Sequence, residues 1–389
     1  MKKARRGPDL NPFHLARDGW QMLRRDLARD LNYYRVRPTN LLPFLTYRCS
    51  SRCRTCSMWQ RRSVLPELSL AQWQTFLTSL AEMQPRSLRH VEFFGGDVLL
   101  RPDVLMPLIE QASAIGLDTA VPLNGILLDE RMAAQLVASG VHTVYLSVDG
   151  VGEVHDRVRG VPGNFALLRR GLAALRAARG DRRSPEIVAI CTVSRLNADS
   201  FEQVLPFAAE AGCDRLHFEY AGEFPAEACA RSVLDGHRPA PYFSNSNGSV
   251  LVEAAQAHRI KRELSLIRSS PAPGKLYVAT TNIDVLTTEQ MVLGRFDVRQ
   301  CYVARLIVTV DPFGGVLACP FFDTYLLGNI LERPLSEIWN GPTHRRFLQA
   351  QRRGEFPICR HCIMSVERNP TFGQRVVKRY LAWRKLARS

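Results

Sequence analysis

Seven of the ten cysteines fall into two groups whose spacing could do metal chemistry. Cys49, Cys53 and Cys56 form a C-x3-C-x2-C pattern directly after the apolar run 41–47. Thiolates bind soft metals and iron–sulfur clusters. Three of them on a four-iron cluster leave one iron without a protein ligand, where a substrate or cosubstrate can bind. A zinc knuckle is the alternative, but zinc usually takes C-x2-C pairs plus a second pair, and no fourth ligand stands nearby. Cys301, Cys319, Cys359 and Cys362 form a second, closed set. By spacing this set fits structural zinc, which the C-x2-C pair favours, or an iron–sulfur cluster. Cys191, Cys213 and Cys229 are too few for a further cluster on thiolates alone and read as small buried hydrophobes.

These groups need a frame, and the sequence supplies one. Strand patterns at 41–47, 90–94, 118–123, 142–148, 186–193 and 215–220 alternate with helical patterns near 69–83, 103–115, 129–139, 163–179 and 199–211. Such alternation predicts parallel βαβ units, six in number, closing into an open or partial barrel. Ligands in parallel α/β architectures sit at the carboxyl ends of strands. Cys49–Cys56, Gly95–Asp97, Asn124-Gly125, Ser147–Asp149 and Glu219 all end or follow a strand. Pro and polar residues mark 222–247 as a long loop, with a helix near 249–267 after it. Apolar runs flanking Asp311-Pro312-Phe313-Gly314-Gly315 predict a hairpin bracketed by Cys301 and Cys319, followed by a helix over 335–351.

Gly95 and Gly96 have no side chain, so backbone can approach a ligand closely there. Ser147 and Asp149 alternate to one side of their strand. On the sixth strand His217 and Glu219 alternate with Leu216, Phe218 and Tyr220, so the polar side faces either a cavity with substrate or a satisfied buried pair. His217 and Glu219 are the candidate catalytic or substrate-contact residues.

The order of these motifs resembles the radical S-adenosylmethionine (radical SAM) enzymes. Cys49, Cys53 and Cys56 resemble the family's cluster signature, and Phe93-Phe94-Gly95-Gly96-Asp97 its Gly-Gly-Glu segment, with Asp97 where Glu is more usual. Thr55 stands where an aromatic residue often precedes the last cysteine. Leu146–Gly150, His155–Gly160 and Gly163-Asn164-Phe165 resemble the subgroup with a cysteine-rich C-terminal SPASM or twitch extension, and the likeness spans about residues 41–365. The resemblance implies a partial (β/α)6 barrel with a small β-hairpin/helix auxiliary-cluster domain. It implies a 4Fe-4S cluster on Cys49, Cys53 and Cys56 that binds S-adenosylmethionine, and an auxiliary 4Fe-4S cluster on Cys301, Cys319, Cys359 and Cys362. It places Gly95, Gly96 and Asp97 at the methionyl amino group, Ser147 and Asp149 at the ribose and methionyl groups, Arg159 at the carboxylate, and Asn124 at the floor of the site. Reductive cleavage of S-adenosylmethionine then yields a 5′-deoxyadenosyl radical that abstracts a substrate hydrogen. An electron donor such as a flavodoxin or ferredoxin is implied as a partner.

Expected boundaries are a basic tail with an amphipathic helix at 1–40, the barrel at 41–247, a connector at 248–296, the auxiliary domain at 297–366 and a basic helix at 367–389. About 40 residues precede the first strand, short for a cobalamin domain or a separate peptide-recognition domain. A small-molecule or lipid substrate is therefore the first expectation, with peptide maturation the alternative. A non-enzymatic zinc protein with RNA-binding tails is a further alternative, although it leaves Gly95–Asp97 and Ser147–Arg159 without a role. The net charge of +15 is concentrated at the ends. Residues 1–37 hold ten Lys/Arg against four Asp (+6), and 368–389 hold seven Lys/Arg and no acid (+7). With Trp20 and Trp383 in apolar stripes, the tails could dock on anionic membrane or simply pack on the barrel; nucleic acid is not an expected partner. The chain has no apolar run of 18 residues and no signal-peptide h-region, which predicts a cytoplasmic enzyme, at most peripheral on the membrane.

Overall fold

A computed structural model describes residues 37–82, 87–243, 248–270, 274–280, 283–296, 301 and 303–368. The two basic tails and their expected amphipathic helices lie outside the described residues. Arg37–Asn369 form one compact unit. Its strands are β1 (Asn40–Pro43), β2 (His90–Glu92), β3 (Asp118–Leu123), β4 (Thr143–Ser147), β5 (Glu186–Val193), β6 (Arg215–Tyr220), β7 (Tyr277–Ala279), β8 (Ile307–Val310), β9 (Gly315–Leu317) and β10 (Leu326–Asn329). They form one sheet in the order β10-β9-β8-β1-β2-β3-β4-β5-β6-β7.

The strands β1 to β6 lie side by side in chain order and all pair in parallel. Parallel neighbours require crossovers. The helices Leu70–Glu82, Pro102–Ala114, Glu130–Ala138, Asn164–Arg179 and Val204–Glu210 provide them. This is the expected partial barrel. It is extended at both edges, by β7 beside β6 and by β8 parallel to β1. The C-terminal hairpin β8–β9 therefore continues the main sheet. Ile307–Val310 are all buried, as a strand flanked on both sides must be.

Within the parallel strands, burial alternates. Val144 and Leu146 of β4, and Leu216, Phe218 and Tyr220 of β6, are enclosed. Their neighbours Thr143, Tyr145, Ser147, Arg215, His217 and Glu219 are half-buried on the opposite face. Register stacks that face in layers: Tyr145 with Val188 and Arg215, Ser147 with Ile190 and His217, Thr192 with Glu219.

Three elements differ from expectation. The first strand ends at Pro43, and Phe44 makes a single bridge to Phe94. The long loop holds a helix, Ala226–Arg231, and a bridge between Leu234 and His237. The helix expected over 335–351 is split into Leu335–Ile338 and Pro342–Arg352. Asn340 at φ 64° breaks it, and Pro342 starts the second piece where a missing N–H costs nothing. A short helix, Glu153–Arg159, carries Arg159 toward the cysteine loop.

Candidate active site

The loop carrying Cys49, Cys53 and Cys56 leaves β1 and is clamped from two sides. On one side the amides of Gly96 and Asp97 donate to the carbonyls of Thr46 and Arg48, each at 2.8 Å. A Cβ on Gly96 would stand 2.1 Å from the Arg48 carbonyl oxygen, and one on Gly95 2.3 Å from that of Thr46. What these glycines admit so closely is the chain's own backbone. On the other side, the amides of Arg52 and Arg54 donate to the carbonyls of Arg159 and Val158 at 3.1 and 2.9 Å.

Asp97 is 3% exposed and works from below the loop. Its Oδ2 accepts from Ser50 Oγ and, at 3.0 Å, from Asn124 Nδ2; its Oδ1 accepts from the Leu99 amide at 3.1 Å. Asn124 Nδ2 also donates to Ser50 Oγ at 3.0 Å. The strand ends of β2 and β3 are thus tied to the cysteine loop. Ser50 was not singled out from the sequence; its place between Cys49 and Cys53 was the available signal.

Arg159 reaches the loop from the end of its helix. Its Nη1 donates to Cys53 Sγ at 3.3 Å, and its Nε lies 3.5 Å from Asp149 Oδ2. Burial opposes the guanidinium charge, but Cys53 and Asp149 more than offset this and raise its pKa. The carboxylate expected near the cosubstrate is therefore an ion-pair partner of the arginine expected beside it. His155 is fully buried; its Nδ1 accepts from the Asp149 amide at 3.2 Å, so Nε2 carries the proton and donates to Asn164 Oδ1 at 2.5 Å. Burial, then Arg159, lower its pKa to about 4 and keep it neutral. Asp156 accepts from the amides of Gly163 and Phe165 and shapes the following turn.

Burial pushes the Cys49 thiol up to about 11 and that of Cys56 up to about 12, with the neighbouring thiol Cys53 adding to both. Ligation would have to displace these protons. Ser51 Oγ, enclosed in the loop, has no hydrogen-bond partner. Among the described residues no three His, Cys, Asp or Glu side chains converge tightly enough to grip one metal ion. Three soft thiol donors on one loop fit a cluster, which seats each thiolate on a different iron.

The second set comes from Cys319, two residues beyond β9, Cys359 in the turn Pro357–His361, Cys362 just after it, and Cys301, two residues before the short helix Val303–Leu306. The Cys319 and Cys359 thiols are pushed well above their ordinary value by burial first. For Cys319 the charges of Cys362 and Cys301 add to this, and for Cys359 those of Cys301, Cys319 and Cys362. All ten cysteines are free thiols. Cys191 and Cys213 are buried, and Cys229 is half-buried on the helix Ala226–Arg231.

Between the two sets lies a residue that sequence reasoning missed. Tyr242 is 3% exposed, and its carbonyl accepts from the Ser57 amide, next to Cys56, at 2.7 Å. Its ring packs on Phe321, two residues after Cys319, with centroids 5.2 Å apart. Burial raises its phenol pKa well above the ordinary value, and Cys56 and Cys319 both add to the shift. Two adjacent aromatics, Tyr242-Phe243, between the prolines Pro239 and Pro241 and the polar run 244–247 were the signal.

His217 and Glu219 lie on the half-buried inner face of β6, in the layers of Ser147 and Thr192. His217 Nε2 accepts from Arg215 Nη2 at 2.9 Å. Burial, then Arg215, lower its pKa to about 4, so it is a neutral ring.

The sequence profile of the Radical SAM superfamily matches residues 44–208, and that of an iron–sulfur cluster-binding domain, SPASM, matches residues 301–363. The chain is similar to the mycofactocin maturase MftC of Mycobacterium ulcerans (strain Agy99), 28% identical over 324 residues that cover 82% of this chain and 79% of the relative. It is similar to the PqqA peptide cyclase of Xanthomonas campestris pv. campestris (strain 8004), 26% identical over 320 residues, 80% of this chain and 76% of the relative. Its fold is similar to that of Streptococcus suis SuiB, seen in a crystal structure bound to precursor peptide SuiA, with a TM-score of 0.61, 13% identity, and coverage of 92% and 79% of the two chains.

Proposed function

Because the chain is a radical SAM enzyme with an iron–sulfur-binding SPASM segment, we propose that its substrate is a peptide and that it acts as a maturase. The observation that carries this is the likeness, over four-fifths of the chain, to relatives named as a maturase and a peptide cyclase. Those likenesses weigh against the first expectation of a small-molecule or lipid substrate and favour its alternative. Its cofactors are 4Fe-4S clusters and S-adenosylmethionine.

Cys49, Cys53 and Cys56 would hold the cluster that takes S-adenosylmethionine, and Cys301, Cys319, Cys359 and Cys362 an auxiliary one. When bound, these groups supply reductive cleavage of the sulfonium and hydrogen abstraction from substrate. The protein's own part is positional. Asp97, Ser50 and Asn124 hold the cysteine loop against the strand ends. Ser147, on the inner face, and the backbone of Gly95–Gly96 would border the cosubstrate when it binds. Neutral His217, accepting from Arg215, retains an Nδ1 proton to donate to a substrate carbonyl, as an amide backbone offers. Glu219, one layer nearer the strand ends, orients the same segment.

The test is anaerobic turnover. Reconstituted enzyme with S-adenosylmethionine and dithionite is incubated with synthetic peptides encoded by short reading frames beside its gene. Peptide-stimulated 5′-deoxyadenosine release with a peptide mass loss corresponding to hydrogen is expected. Release stimulated by a small metabolite or lipid, with every peptide unchanged, would overturn the proposal.

A further inference from the structure

A cation is held against one thiol of the first cysteine set. Arg159 Nη1 donates to Cys53 Sγ at 3.3 Å, and the Arg159 and Asp149 side chains are only 11% and 3% exposed. A guanidinium so enclosed requires a compensating charge, and Asp149 supplies it from 3.5 Å. Asp149 has little freedom to swing away. Its Oδ1 accepts from the Thr192 amide at 2.9 Å, its carbonyl accepts from Asn197 Nδ2 at 2.9 Å, and its own amide donates to His155. The backbone of Arg159 is fixed as well, because its carbonyl accepts from the Arg52 amide inside the cysteine loop. At Gly160 (φ 67°) a Cβ would stand 2.2 Å from the Arg52 carbonyl, so the two segments interlock. Nη1 is thus engaged by Cys53, while Nε faces Asp149 as an ion pair without a hydrogen bond.

We propose that Arg159, oriented by Asp149, is a positioning residue that holds the Cys53 thiolate and biases the cluster on Cys49, Cys53 and Cys56 toward its reduced state. The proposal rests on the assignment of those cysteines to a cluster. Hydrogen bonds to cluster sulfurs and local charge set reduction potentials. Reduction adds one negative charge, which a nearby buried cation favours more than bulk water would. The two members of the ion pair must therefore act in opposite directions. Losing the cation disfavours reduction, and losing the Asp149 charge, which partly neutralises the cation, favours it.

The experiment is a potentiometric titration of the reconstituted holoprotein followed by electron paramagnetic resonance, using the signal that changes on adding S-adenosylmethionine. Iron content and S-adenosylmethionine affinity are measured in parallel. At fixed potential, Arg159→Gln should lower the reduced-to-oxidised ratio about tenfold, a shift of about 59 mV for a one-electron couple. Arg159→Lys should fall between it and wild type. Asp149→Asn, which still accepts from the Thr192 amide, should raise the ratio. Should Arg159→Gln fail to take up iron, the Lys and Asn variants decide by the same opposite signs. Unmoved ratios with full iron, or shifts of one sign in both positions, would overturn this proposal alone. A tenfold loss of S-adenosylmethionine affinity with an unmoved ratio would assign Arg159 to the cosubstrate instead. Wild-type protein that takes up no iron at Cys49, Cys53 and Cys56 would remove both the cluster assignment and the proposal.

Discussion

Asn124 Nδ2 and Asp97 Oδ2 meet at 3.0 Å across 27 residues, and the same carboxylate oxygen accepts from Ser50 Oγ in the cysteine loop. One buried carboxylate thereby joins the ends of β2 and β3 to the segment between Cys49 and Cys53. Replacing it removes the acceptor from three donors at once, counting the Leu99 amide. A hydrogen bond to a charged group contributes about 1.5–3 kcal/mol, and the three are coupled, so Asp97→Ala should cost about 3 kcal/mol. Urea unfolding measures this. A midpoint within error of wild type would show that the network does not hold the loop.

Gly96→Ala should act on the same loop by a different route. The added methyl would stand 2.1 Å from the Arg48 carbonyl oxygen and 2.8 Å from that of Tyr47, and neither backbone can yield cheaply. The loop must shift, taking Cys49 with it. The variant is expected to fold but to lose iron and S-adenosylmethionine cleavage together. Full iron with wild-type cleavage would show that the close approach has slack.

The two cysteine sets should be separable by metal content. Replacing Cys49, Cys53 and Cys56 by Ala should leave about half the iron, on the order of four atoms of eight if both clusters are the four-iron form, and abolish S-adenosylmethionine cleavage. Replacing Cys359 and Cys362 should remove the other half. Stoichiometric zinc at Cys301, Cys319, Cys359 and Cys362 in anaerobically purified protein would contradict the auxiliary cluster.

Acid should destabilise the fold before most carboxylates titrate. His155, His217 and His344 are lowered from 6.5 to about 4 by burial. A depressed histidine binds its proton more readily when unfolded. The stability it contributes is thus full above about 6.5 and is lost as pH falls toward about 4. For His155 and His344, both fully buried, the slope inside that window approaches about 1.4 kcal/mol per pH unit each. Thermal midpoints at neutral pH and stepwise down to pH 5 should fall, and His155→Gln should flatten the decline. A flat profile in wild type would contradict the burial argument.

The spacing of Cys49, Cys53 and Cys56 was legible because ligand geometry within one loop is written in adjacent residues. The six parallel strands were legible for a related reason. Each carries its own period, and the segments between them are long enough only for crossovers. The fate of Arg159 was not legible. The resemblance placed it at the cosubstrate carboxylate, but the partner it meets, Cys53, is 106 residues away, and the helix Glu153–Arg159 that brings it there is too short to show a period. Gly95 and Gly96 read from the sequence as points where backbone meets a ligand, yet in the fold it is the Thr46–Arg48 backbone that approaches them closely. Tyr242 lay unnoticed in a Pro-rich stretch until tertiary packing set it between Cys56 and Cys319. The sequence by itself thus determined which side chains can ligate and which segments are strands, since both depend on residue type and local period. Only the tertiary structure decided which charge faces which thiol and how the C-terminal hairpin joins β1, because those contacts are set by long-range packing that no local pattern encodes.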